Sequence, residues 1–307
     1  MKKNGQFFFT FLPLLLSVGL QYLVVFFSMG LSALVEQIWY GATGTVDFIA
    51  VFEDLTNLWV TSDFNTYIMI CYAAMSIAVF GLWYYMKYNG AYLPKPRTVF
   101  HPLSILGIVM LVPGTQYLST YIVSFTAALF PRSLDAYEEL LETAGLDTSI
   151  TLGLFLYSVI LAPFSEELIF RGVTMRQARK FLPFWAANLM QAILFGIFHM
   201  NLIQGVYAFC LGIVLGYICE KSGSIYNSVL LHMLFNFWGT VLSQFFGIGD
   251  SAFSFLFWFF FGITITAGGI VVFIAGAGKC AASRDSGVKI PASAETGTYT
   301  EHMTQER

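Results

Sequence analysis

Hydrophobic positions along this chain come in long unbroken runs, not in the two-residue alternation of a half-buried strand. Uncharged stretches lie at about 6–34, 64–86, 98–131, 148–165, 181–198, 200–219, 222–249 and 251–278. Most reach the roughly 18 to 20 residues that an α-helix needs to cross a bilayer, so the pattern predicts eight helical spans. A closed β-barrel is the other structure that can span lipid, but TYIMICYAAMSIAVFGLWYYM (66–86) shows no strict alternation. The first apolar segment, nearly thirty residues, is about twice a secretion-signal core and is expected to be retained as the first span. FIAVFEDLTNLW (48–59) reads as a small interfacial helix on the outer face, and Pro113-Gly114 predicts a kink or an end within the third segment.

Composition fits lipid as the solvent. Of the 307 residues, 57% are hydrophobic and 11% charged, whereas about a quarter of a soluble domain is charged. Lys2 and Lys3, then Lys87, Lys95 and Arg97, then Arg176, Arg179 and Lys180, then Lys221, and finally Lys279, Arg284, Lys289 and Arg307 fall on alternate sides of the eight spans. The opposite loops, around 35–63, 132–147 and Asp250, carry acids with Arg132 as their one cation. The positive-inside rule then predicts a multi-pass protein of the cell membrane with both termini cytoplasmic. Net charge is −3 and no basic face argues for nucleic acid. Cys71, Cys210, Cys219 and Cys280 form no C-x-x-C pair, giving neither a disulfide framework nor a zinc knuckle.

Ionisable residues at membrane depth cost at least a few kcal/mol each, and so mark a functional site with a partner to be found. SEELIFRG (165–172) places Glu166, Glu167 and Arg171 at the end of the fourth span. Glu167 and Arg171 are four residues apart, stacked on one helix face as an ion pair, while Glu166 is turned about 100° away and left free for chemistry. His199 ends the fifth span in FGIFH, one turn beyond Phe195. HMLFN in the seventh span offers His232 and Asn236 on one face, and both are expensive in lipid unless they meet polar partners. A carboxylate, two imidazoles and a carboxamide from three helices can activate a water and stabilise the oxyanion of a carbonyl addition. The same groups allow a metal site, with Glu166, His199 and His232 as zinc ligands and a water position left open, although no H-E-x-x-H is present.

EELIFR, FGIFH and HMLFN, in that order on separate apolar helices, resemble the CPBP family of intramembrane proteases, also called the type II CAAX prenyl endopeptidase and bacteriocin-processing family. The resemblance covers about 160–240. It implies an all-α polytopic membrane enzyme that cuts peptide bonds, with Glu166 and His199 polarising the attacking water, and His232 and Asn236 holding the water and the oxyanion. Glu167 and Arg171 would order the site. Members are described both as metalloproteases and as metal-free glutamate-dependent proteases. Asn236, a good oxyanion donor and an uncommon zinc ligand, favours the second, so no cofactor is expected and zinc is the alternative. The expected partners are the bilayer and a peptide or membrane-protein substrate, lipidated or not.

The expected organisation is one helical membrane domain over 1–280, with its catalytic core at about 148–249, and a disordered cytoplasmic tail over 281–307, which is polar and poor in aromatics. One geometric difficulty follows. Counted from the cytoplasmic boundary, Glu166 lies about 15 Å deep and His232 about 12 Å, but His199 about 21 Å. Spans 5 and 6 are therefore expected to be tilted or short, with the turn HMNLIQG (199–205) stopping inside the membrane. Other membrane chemistries lack parts: GIGD (247–250) has no Tyr-Asp partner, and no G-x-S-G supplies a serine nucleophile. A non-catalytic immunity or partner-regulating protein, or a proton-relaying transporter, could use the same scaffold.

Overall fold

In a computed structural model the chain is described over residues 7–43, 48–88, 99–145, 150–249 and 251–287. Among these residues the regular structure is helical, with no strand. The helices are α1 (Leu12–Thr43), α2 (Phe48–Trp59), α3 (Ser62–Tyr88), α4 (Pro102–Leu129), α5 (Pro131–Thr143), α6 (Leu152–Ala178), α7 (Phe184–Phe198), α8 (Leu202–Ser222), α9 (Ile225–Phe237) and α10 (Ala252–Gly287). Every apolar run of the sequence forms a helix. Six of them (α1, α3, α4, α6, α8 and α10) are long and apolar enough to cross a membrane. The other two expected spans fall short: α7 has 15 residues, and α9 has 13 before it continues as a π-helical turn over Trp238–Leu242. Large side chains such as Phe26, Phe27 and Trp39 on α1 and Phe253 on α10 stand open, which suits a surface bathed in hydrocarbon and would be an extreme apolar patch in water.

Three further expectations meet the structure differently. Pro113 neither ends nor divides its segment but stands inside one continuous helix. There α4 lies against α10 so closely that a Cβ on Gly114 would strike Thr266 and one on Gly107 would stand 2.5 Å from the backbone N of Phe273. This backbone-to-backbone packing, possible only with small residues at the contact, flanks the proline. Second, the acidic stretch expected as a loop at 132–147 contains α5. Ser133, Leu134, Tyr137 and Leu141 are its half-buried positions, on one helical face, and Asp135, Glu138, Glu139 and Glu142 are exposed, so it is an amphipathic helix laid on the bundle. Third, α10 runs to Gly287, past the expected start of the tail at 281; residues 288–307 lie outside the described residues.

Connections near the polar motifs are short and capped. Asn201 Oδ1 accepts from the Gln204 backbone N at 3.1 Å to start α8, and Ser224 Oγ accepts from the Tyr226 N at 3.2 Å to start α9. Between them Gly223, at φ 65°, takes the left-handed conformation that closes α8 at no side-chain cost. α6 is a helix with two wider, π-helical stretches, Leu156–Leu161 and Leu168–Thr174, on either side of Ala162–Glu167. The first precedes Pro163, whose ring and missing N–H would disrupt a regular α-turn. The second is held by Thr174, whose hydroxyl donates to the Ile169 carbonyl five residues back at 2.8 Å.

The α4–α10 contact gives a stability prediction. Gly107→Ala should lower the thermal midpoint in detergent by an amount equivalent to roughly 1–3 kcal/mol of overpacking. Gly19→Ala on α1, where a new Cβ meets nothing within 4 Å, should not lower it.

Candidate active site

The polar motifs of α6, α7 and α9 converge where these helices meet α8. Arg171 Nη1 donates to Glu167 Oε1 at 2.8 Å, with both side chains fully buried. A buried pair of this kind offsets its desolvation to the extent that its remaining donors and acceptors are engaged; here Glu167 Oε2 and Arg171 Nε are buried without a hydrogen-bond partner, and the other contacts carry the load. Arg171 Nη2 donates to the Gly212 carbonyl of α8 at 3.3 Å, and its guanidinium lies 4.5 Å from the Phe195 ring centroid. His232 Nδ1 bonds the same Glu167 Oε1 at 2.9 Å. With Glu167 ionised against Arg171, that oxygen accepts and Nδ1 carries the hydrogen, so the lone pair of the neutral ring sits on Nε2.

Glu166 takes a different place. Its Oε2 stands 3.6 Å from His232 Nε2, longer than a direct hydrogen bond, and its side chain keeps 13% exposure where that of Glu167 has none. The 100° turn between the two glutamates therefore does not send them to different partners: they address the two ring nitrogens of one imidazole. Tyr72, Tyr157 and Tyr207 lie within electrostatic reach of the Glu166 carboxylate.

His199 is brought in less directly. It caps the C-terminal end of α7, where its Nδ1 must donate to the Phe195 carbonyl at 2.8 Å, because a carbonyl only accepts. This fixes the neutral tautomer with a free Nε2 lone pair. Its ring packs edge-on against Phe195 at 4.8 Å, and the same Phe195 ring meets His232 at 5.8 Å. The structure links the two imidazoles through this aromatic side chain. At 15 residues, α7 is only about 22 Å long, which leaves the roughly 21 Å counted for His199 in place, and α8, with 21 residues, is not short. The turn after it passes through Met200 at φ 51° and touches α5, where Asn201 Nδ2 donates to the Ala136 carbonyl at 3.4 Å. Asn236 faces α6: its Nδ2 donates to the Ser158 carbonyl at 2.8 Å, within the first π-helical stretch.

Accessibility divides the six residues. Glu167, Arg171 and His232 are buried, whereas Glu166, His199 and Asn236 are partly open. Among the described residues no group of three or more His, Cys, Asp or Glu side chains is arranged to hold a metal ion. Phe195, which opens the FGIFH motif, joins both histidines; the contributors that escape the motif reading are Ser158 and a buried carboxamide pair on α7, Asn188 and Gln191. Two amides three residues apart in the otherwise apolar FWAANLMQAILFGIF were a legible signal.

The fold and the site describe a polytopic helical membrane protein with a carboxylate–imidazole centre between its helices. Residues 148–238 match the model of the family described as type II CAAX prenyl endopeptidase Rce1-like. The matched stretch contains all of Glu166, Glu167, Arg171, His199, His232 and Asn236 and bears out the family resemblance read from the three motifs. No curated protein and no solved structure matches the chain.

The buried pair yields a direct test. Arg171→Met strands a buried carboxylate and should cost roughly 3–5 kcal/mol, read as a large fall in thermal midpoint in detergent. Adding Glu167→Gln to it should recover part of that loss, because the stranded charge is then gone.

Proposed function

We propose that the chain is an intramembrane endopeptidase that hydrolyses a peptide bond with a water activated by Glu166. The observation that carries the reading is the division of labour between adjacent glutamates: Glu167 is buried and committed to Arg171 and His232, while Glu166 is accessible and held 3.6 Å from the His232 Nε2. In the proposed reaction Glu166 removes a proton from water as the water oxygen attacks the scissile carbonyl. His199 Nε2 helps to polarise that water. His232, oriented from behind by Glu167, steadies the water, and the second N–H of Asn236 Nδ2 faces the developing oxyanion. The proton on Glu166 then passes to the departing amine as the C–N bond breaks. Peptides of the CAAX type, or other membrane-associated peptides, are the substrate class this reading implies. The alternation of Lys and Arg supports a cell-membrane protein with both termini in the cytoplasm.

No step is routed through a metal, since Asn236 is better suited as an oxyanion donor than as a zinc ligand. The test is cleavage of lipidated and unlipidated peptides by purified protein in detergent. Glu166→Gln and His199→Ala should each lower turnover by about 10²–10⁴-fold, the usual contribution of a general acid–base group, and chelator-treated protein should keep full activity. Cleavage that survives both substitutions would overturn the mechanism; activity lost to a chelator and restored by zinc would replace it with the metal version.

A further inference from the structure

His199 reaches the site at the end of a short helix, so something must fix where that helix sits. Close packing supplies part of this: a Cβ on Gly196 of α7 would stand 2.6 Å from the Gly205 carbonyl oxygen of α8. The polar fixed point is a pair of carboxamides. Gln191 Nε2 donates to the Gly212 carbonyl of α8 at 2.9 Å and to Asn188 Oδ1 at 2.8 Å. Asn188 Nδ2 donates to the next carbonyl, Ile213, at 3.0 Å. Both side chains are fully buried, and exchanging O for N in either amide would set acceptor against acceptor, so the network admits one orientation. Glycines make room for it: a Cβ on Gly216 would collide with Asn188 Oδ1, and one on Gly212 would stand 3.1 Å from the Ala192 Cβ.

The Gly212 carbonyl is shared. Arg171 Nη2 donates to it as well, so one backbone oxygen ties α7, α8 and the Glu167–Arg171–His232 chain together. One helical turn beyond Gln191 comes Phe195, under the Arg171 guanidinium and against both imidazoles, and one turn beyond that comes His199. Resting on the hydrolytic reading above, we propose that Gln191 is a positioning residue for that site: its bond to the Gly212 carbonyl sets the register of α7 and so places Phe195 and His199 against His232 and Arg171.

The test compares Gln191→Leu with Gly276→Ala, which loosens the remote α4–α10 contact where a Cβ would strike Ser104. The ¹⁵N imidazole signals of His199 and His232 are recorded on detergent-solubilised full-length protein, assigned with His199→Ala and His232→Ala. Thermal midpoints are measured alongside. Gln191→Leu should move both imidazole signals, whereas Gly276→Ala should lower the midpoint and leave them in place. If Gln191→Leu does not fold, Gln191→Asn, one methylene too short to reach Gly212, should move the same signals. In the peptide assay either Gln191 variant should lose about 10–100-fold in kcat with KM little changed, the scale of a sub-ångström to 1 Å misplacement. Wild-type imidazole signals in a folded Gln191 variant would overturn the proposal and reduce the clasp to interhelical glue. The spectra report on positioning even if wild-type protein cleaves no peptide, so that outcome would count against the hydrolytic reading alone.

Discussion

A guanidinium with no exposed surface, deep in a bundle that faces lipid, constrains everything around it. Arg171 cannot shed its charge, so the structure must surround it with a carboxylate, a carbonyl and an aromatic face. Glu167 supplies the first from one turn back on the same helix, Gly212 the second from α8 and Phe195 the third from α7. Three helices are thereby tied to one side chain. Because Glu167 is held by Arg171, it has a fixed lone pair to offer His232, and the imidazole acquires a set tautomer and a set direction. The site is thus an outgrowth of charge neutralisation in a medium that tolerates no loose charge.

Next to that committed assembly, Glu166 is held more loosely, 3.6 Å from His232 Nε2. A carboxylate so weakly paired in an apolar bundle is costly to stability, and such perturbed groups cluster where chemistry uses them. The π-helical stretches on either side of Ala162–Glu167 point the same way, since such local widening is common at functional positions and re-aims the side chains it carries. One of them also presents the Ser158 carbonyl to Asn236, which anchors the carboxamide from behind.

Much of this could be read from the sequence, for reasons tied to particular residues. The eight apolar runs became helices because lipid leaves the backbone no other partner than itself, and the Glu167–Arg171 pair follows from four-residue spacing alone. Span length was less legible: apolar continuity does not reveal that α7 stops after 15 residues at His199. α5 was hidden because four acids at 135, 138, 139 and 142 mask the Leu134, Tyr137 and Leu141 stripe. Proline at 113 suggested a break because the packing of Gly107 and Gly114 of α4 against α10 involves residues far along the chain. The bond from His232 to Glu167 was missed for the same reason: spacing orders residues within a helix and says nothing about which neighbour faces them from another.

The claim at the centre is that adjacent glutamates do different jobs, one structural and one chemical. Side-by-side measurement of turnover and thermal midpoint for Glu166→Gln and Glu167→Gln in liposome-reconstituted protein tests it most directly. The account predicts that Glu166→Gln keeps the wild-type midpoint and loses turnover, while Glu167→Gln loses the midpoint as well. Turnover near wild type in Glu166→Gln, or a midpoint unmoved by Glu167→Gln, would contradict it.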